Sequence, residues 1–157
     1  MDKSTSATGR RIALKLQYDG TNFSGYQVQN SGRTVQNEIE QALAILTKEN
    51  NRIIASGRTD SGVHALGQIV HFDTSSDIQL NRLCVSLNGI LAKDVSMINA
   101  YEVHEDFHAR YSPVEREYKY YIYNSPQRSP FMLNRALWVN FSLDINFLKR
   151  TFKYLVG

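Results

Sequence analysis

Between residues 11 and 103 the apolar residues switch between a period of two and a period near 3.6. The order of those switches leaves few folds open. Residues 11–18 (RIALKLQY) alternate and predict a strand. Asp19-Gly20 followed by Thr21, Asn22, Ser24 and Gly25 predicts a loop. Thr34 can N-cap a helix running to about Lys48, with Val35, Ile39, Ala42, Leu43 and Leu46 as its apolar stripe. A short strand follows at 52–56, then a glycine-bracketed loop at 57–62 and an alternating strand at 68–73 (QIVHFD). Residues 81–90 predict a second helix and 95–103 a further strand. The order β-α-β-β-α-β is the split βαβ, ferredoxin-like arrangement. It predicts an α+β fold with a four-stranded antiparallel sheet, both helices on one face and the other face open to a ligand.

Beyond residue 104 the pattern thins. Residues 104–114 (HEDFHARYSPV) have little period and read as a linker. Residues 116–124 (REYKYYIYN) predict an aromatic strand, Ser125-Pro126 and Ser129-Pro130 a loop, and residues 135–140 another short strand. Residues 143–156 predict a helix with Leu143, Phe147, Leu148, Phe152 and Leu155 on one side, and Gly157 as its C-cap. Two strands and one helix are too few to close a second domain. The expected organisation is a disordered leader at 1–9, a ferredoxin-like domain at 10–104 and the incomplete start of a second, similar half at 105–157.

Composition narrows the function classes. The lone Cys84 excludes an intramolecular disulfide and a cysteine-based zinc site. The opening MDKSTSATGRR lacks the apolar stretch of a secretory signal. No apolar run approaches the roughly 18 residues of a membrane span. A soluble, cytoplasmic protein is expected. Charge is divided unevenly along the chain. Residues 1–106 hold ten Lys/Arg against twelve Asp/Glu, a net −2; residues 107–157 hold eight against three, a net +5. A basic segment fits either a polyanionic partner or a solvated face.

Several motifs compete for the chemistry. His104-Glu105-Asp106-Phe107-His108 is a literal H-E-x-x-H, the zinc-hydrolase pattern, which works only on a helix. A strand precedes it and Ser112-Pro113 follows it, which disfavours a helix, and His64 and His71 offer no third ligand. No metal site is expected there. Gly57 to Gly62 has the G-x-x-x-x-G spacing of a phosphate loop, but Val63-His64 follows where Lys-Ser/Thr would be needed. Read as a carboxylate site, the same loop is more informative. Arg58 and Asp60 lie two apart, so extended backbone projects both to one side. An ionised carboxylate in a tight loop can serve as a nucleophile. The alternative, that Asp60 or Ser61 caps a helical turn, stays open on local chemistry. In residues 116–123, Tyr118 and Tyr120 would share one strand face and Tyr121 and Tyr123 the other, a pattern that suits base stacking or sheet packing. Some of these tyrosines are expected in a core, with Tyr118 the exception. Phe107, His108, Ala109, Arg110 and Tyr111 place an arginine among aromatics, a combination able to meet phosphate and base together.

Together these stretches resemble the bacterial tRNA pseudouridine synthase A (TruA) family. The resemblance is carried in order by residues 18–27 (YDGTNFSGYQ), 57–65 (GRTDSGVHA), 67–72 (GQIVHF), 107–110 (FHAR) and 116–120 (REYKY). It spans about residues 10–157. Tyr26 stands where the family usually has tryptophan, and members usually continue well past the point matching Gly157. The chain is therefore expected to be a fragment lacking part of the second half. The resemblance implies the pseudouridine synthase fold, two ferredoxin-like halves sharing one sheet. It implies isomerisation of uridine to pseudouridine at positions 38 to 40 of the tRNA anticodon arm, with no cofactor. Asp60 would be the essential carboxylate, acting on the sugar, on the base or on a ribose proton. Arg58 would pair with Asp60 and help hold the target nucleotide out of the stack. Tyr118 would stack on the flipped base and act in proton transfer at C5. Phe107 to Tyr111, and Arg116, would contact RNA, and the family is typically homodimeric. The rival readings are an RNA-binding module without catalysis and, more remotely, a zinc hydrolase built on His104 and His108.

Overall fold

The structure is a computed structural model and describes residues 9–156. Of the leader expected at residues 1–9, residues 1–8 lie outside the described residues, as does the cap expected at Gly157. The chain forms two compact units, Met1–Glu115 and Arg116–Gly157. The segment just after residue 104 belongs to the first.

In the first unit, β1 (Arg10–Tyr18), α1 (Val35–Thr47), β2 (Ile54–Ala55), β3 (Ala65–Thr74), α2 (Leu80–Ile90) and β4 (Val95–Val103) follow the predicted order. The sheet order is β2-β3-β1-β4 and every pairing is antiparallel. This is the ferredoxin-like arrangement. β1 is paired on both sides, and its side chains separate by parity. Ile12, Leu14, Leu16 and Tyr18 enter the core with Val70 and Phe72 of β3, Val35, Ile39 and Leu43 of α1, and Leu83 and Leu87 of α2. Both helices therefore cover one face, and Arg11, Ala13, Lys15 and Gln17 lie on the other. The predicted helix start holds: the Thr34 hydroxyl accepts the Asn37 N–H, and α1 ends at Lys48 in the left-handed region (φ 62°). Only the strand expected at 52–56 is much shorter, two residues pairing Ile54 with His71 and Ala55 with Val70.

The second unit departs further from expectation. The predicted strand at 116–124 is reduced to β5 (Ile122–Asn124), which pairs in parallel with β6 (Leu137–Val139). A single 3₁₀ turn, Pro130–Met132, lies on the connection between them. Residues 116–121 form no strand; Tyr118 is exposed as expected, and Tyr120 and Tyr121 are exposed as well rather than core. An alternating strand needs a partner backbone and a face to bury; among the described residues only the Tyr121 carbonyl, which accepts the Leu137 N–H at 2.8 Å, joins the β6 backbone, and residues 116–121 are all exposed. The third helix, α3 (Ile145–Phe152), is shorter than the predicted 143–156, starting after Asp144, whose carboxylate accepts the Phe147 N–H at 2.9 Å. Phe147 and Phe152 of its apolar side, and Leu155 beyond its end, are exposed.

Glu49, just past α1, is the fold's most perturbed carboxylate. It accepts from the Thr74 hydroxyl at 2.6 Å, from the Ser75 N–H and Asn51 Nδ2 at 3.1 Å each, and from the Ser75 hydroxyl. These donors, the Ser75 hydroxyl foremost, lower its pKa from 4.5 to about 2. A depressed carboxylate stabilises the fold above its unfolded pKa, and that contribution vanishes as pH falls through the folded value. Glu49→Gln should therefore lower the urea midpoint above about pH 4.5, and the gap from the unsubstituted chain should close toward about pH 2. Urea titrations of both proteins at several pH values check this.

Candidate active site

The glycine-bracketed loop leaves β2 and enters β3 at the end of the sheet where β1 finishes. Its shape follows from what it is tied to. The Thr59 hydroxyl lies 2.7 Å from the Tyr18 hydroxyl, which donates to Gln68 Oε1 at 2.8 Å. Gln68 Nε2 in turn donates to the Gly57 carbonyl at 2.7 Å. Tyr18 and Gln68 are both buried, so this chain of polar contacts sits in the core's edge with its partners supplied. The Tyr26 N–H donates to the Thr59 carbonyl at 2.9 Å, and the Ser61 hydroxyl to the Phe23 carbonyl at 3.1 Å. Tyr26 also accepts the Gln36 N–H at 2.9 Å, which joins this segment to the first turn of α1.

Thr59 thus points inward, and its neighbours Arg58 and Asp60 are exposed on the outer side. This is the alternation expected from their spacing. No ion pair joins Arg58 to Asp60 among the described residues, so the pairing the resemblance implies is absent from this structure. Asp60 caps no helix; its carbonyl accepts the Val63 N–H at 3.2 Å in a turn, with Gly62 supplying a φ of 79°.

The segment beneath the loop is itself pinned. The Arg33 guanidinium lies 4.2 Å over the Phe23 ring. It reaches Asp94 at 2.5 and 2.9 Å and Glu38 at 3.0 Å. Gly20 donates to His64 Nδ1 at 3.1 Å. A Cβ on Gly20 would overlap the Val63 carbonyl, so no larger residue fits there without moving the loop. Tyr26 is buried and its hydroxyl has no partner; burial holds the phenol well above its ordinary pKa.

The second candidate segment is two successive turns rather than a helix. The His104 carbonyl accepts the Phe107 N–H at 2.9 Å, and the His108 carbonyl accepts those of Tyr111 at 2.9 Å and Ser112 at 2.8 Å. The helix that a zinc-hydrolase motif requires is not formed, and no cluster of metal-ligating side chains occurs among the described residues. Of the five residues on these turns among the six read as RNA contacts, Arg110 and Tyr111 are exposed, Phe107 and His108 half-buried, and Ala109 wholly buried. Ala109 cannot present its side chain to a ligand. Arg116 and Tyr118 open the second unit and are exposed, Tyr118 at 75%. The sequence reading missed Tyr18, Phe23, Arg33 and Gln68 as supports of the loop. The available signal was Gln68, a polar residue in the core phase of β3.

Two consequences follow for the loop. Gly20→Ala should displace residues 57–64 and raise amide exchange there while the helices stay protected, measured by hydrogen exchange. Tyr26→Phe removes a buried hydroxyl that bonds to nothing and should raise stability by about 1 kcal/mol in urea unfolding.

A sequence-family model described as tRNA pseudouridine synthase matches residues 15–112. The chain is 46% identical over 149 residues to tRNA pseudouridine synthase A of Halalkalibacterium halodurans, covering 94% of this chain and 57% of that protein. It is 44% identical to the synthase A of Roseiflexus castenholzii over 94% of this chain and 55% of the relative. Against that of Bacillus subtilis the figures are 42%, 94% and 60%. The chain thus spans somewhat more than half the length of these relatives. The match takes in both the anchored loop at 57–64 and the turns at 104–111, and the chain belongs to the tRNA pseudouridine synthase family.

Proposed function

We propose that this chain carries the catalytic loop of an enzyme that isomerises uridine to pseudouridine in the anticodon arm of tRNA, at positions 38 to 40. The observation that carries this reading is the outward pair Arg58 and Asp60, set on either side of an inward-anchored Thr59. A carboxylate held this way is open to a nucleotide, while its backbone is fixed by the Tyr18–Gln68 chain beneath it.

The reaction breaks the bond between N1 and the ribose and joins C5 to the same carbon. C5 loses a proton and N1 gains one, so the atoms balance with no oxidation and the chemistry calls for no cofactor. The uridine must first leave the stack, which costs a few kcal/mol and least in a loop or at a weak stem end. Asp60 is the essential carboxylate in this reading, Arg58 helps to hold the displaced nucleotide, and Tyr118 stacks on its base. Arg110, Tyr111 and Arg116, with Phe107 and His108, contact the RNA. The net +5 of residues 107–157 supports a polyanionic partner. The working enzyme is a cytoplasmic homodimer. No helix among the described residues is long and apolar enough to cross a membrane. The second reading is RNA binding without catalysis, for which the net +5 of residues 107–157 and the exposed Arg110 and Tyr111 would suffice.

The test is pseudouridine formation in an unmodified tRNA bearing anticodon-arm uridines, with this chain and its Asp60→Asn variant. The expected result is conversion by the chain and a loss of at least about a thousandfold in the variant, with tRNA affinity retained. Binding without conversion, both here and in a version extended beyond Gly157, would leave the RNA-binding module as the function.

A further inference from the structure

The helix-free face of the sheet grips the 104–111 turns by their backbone. His71 of β3 is 2% exposed, and its Nδ1 accepts the Ala109 N–H at 3.1 Å. Its ring meets Phe107 edge-on at 6.0 Å and His108 at 4.9 Å, and His108 stacks on Tyr111 at 4.4 Å. On the neighbouring strand, Arg11 holds Asp73 with two hydrogen bonds of 2.7 and 2.8 Å. Its Nη1 donates to the carbonyls of Phe107, at 3.0 Å, and Glu105. One buried acceptor and one buttressed donor thus bind an N–H and two carbonyls of the same short segment. Just past this grip stand Arg110 and Tyr111, with the guanidinium carbon 5.8 Å from the ring.

We propose that His71 is a positioning residue for RNA engagement: its Nδ1, acting as an acceptor, fixes the turn at Ala109 so that Arg110 and Tyr111 are presented together. The proposal rests on the reading that residues 107–111 contact RNA. An Nδ1 that accepts carries no proton, so the ring hydrogen is on Nε2. Protonation would set a donor against the Ala109 N–H. The charged and titratable groups facing the ring are Arg11 on β1, Asp73 on its own strand and His108 on the turns. Burial, then Arg11 and His108, lower the imidazole's proton affinity, and Asp73 opposes them. The ring therefore stays neutral around pH 7, and the grip is released only in acid.

The experiment measures tRNA affinity, Ala109 amide exchange and urea stability for the chain, His71→Leu, His71→Asn and Arg110→Ala. His71→Leu should weaken tRNA binding about tenfold and expose the Ala109 amide. His71→Asn, which restores an acceptor without a titrating ring, should regain both and decides the matter should the leucine variant not fold. Lowering the pH below the ordinary histidine range should weaken binding by the chain more than by His71→Asn. If Arg110→Ala weakens binding but His71→Leu leaves it unchanged, the positioning role is wrong and the RNA contact stands. If His71→Asn keeps the amide protected yet loses affinity, the acceptor is not what matters and the proposal fails. If Arg110→Ala changes nothing, or the chain binds no tRNA, the underlying reading fails and this inference with it.

Discussion

The first unit depends on the alternation of β1. Ile12, Leu14, Leu16 and Tyr18 are the residues through which the central strand meets both helices, and all four are at most 4% exposed. Slipping the register by one residue would bring Arg11, Lys15 and Gln17 into the core. The last member of the apolar series differs in one respect: Tyr18 carries a hydroxyl at the tip of its ring. The ring completes the core and the hydroxyl must find partners when buried. It finds them in Gln68 and Thr59. One side chain thus ends the core and begins the site, so the position of the loop is set by the strand register.

The loop's exposed residues owe their placement to the buried one between them. Thr59 faces Tyr18, so backbone geometry directs Arg58 and Asp60 away from it. The loop is bound on its inner side and open on its outer side. An anchored loop positions a carboxylate without ordering it anew for each substrate, the advantage of a rigid site over a mobile one. Arg33 extends the rigidity one layer further: it covers Phe23, whose carbonyl accepts the Ser61 hydroxyl.

What was legible in the sequence follows from the range of each interaction. Strand alternation and helical stripes are local, and every strand and α-helix expected between residues 10 and 103 formed near its place, the one at 52–56 reduced to two residues, with the Thr34 cap at the predicted residue. The Arg58–Asp60 projection was legible for the same reason. The strand predicted at 116–124 survives only at Ile122–Asn124, because alternation states a capacity to pair, and pairing also needs a partner strand, which β6 supplies for those three residues. The H-E-x-x-H string shows the converse: the residues are present, but two turns replace the helix that would bring the histidines together. His71 and Gln68 were legible only as polar residues in buried strands. Their partners are the Ala109 amide, 38 positions away, and the Gly57 carbonyl, 11 away, and backbone groups leave no mark in a residue string.

The two faces of the first unit are built for different tasks. Its helical face is a sealed apolar core, while its open face holds the turns at 104–111 through Arg11 and His71. Neither grip uses the side chains of Arg110 or Tyr111, because both act on backbone groups. Affinity for a phosphate backbone comes from counterion release and needs little geometry. Choosing one nucleotide needs register, which fixed backbone supplies. In the proposed reading the basic residues beyond 106 supply attraction, the backbone grip supplies register, and Asp60 sits on a loop anchored to the same sheet through Tyr18 and Gln68. In that reading, a common sheet beneath both segments would hold the distance between contact and chemistry constant, as action on one extruded base requires.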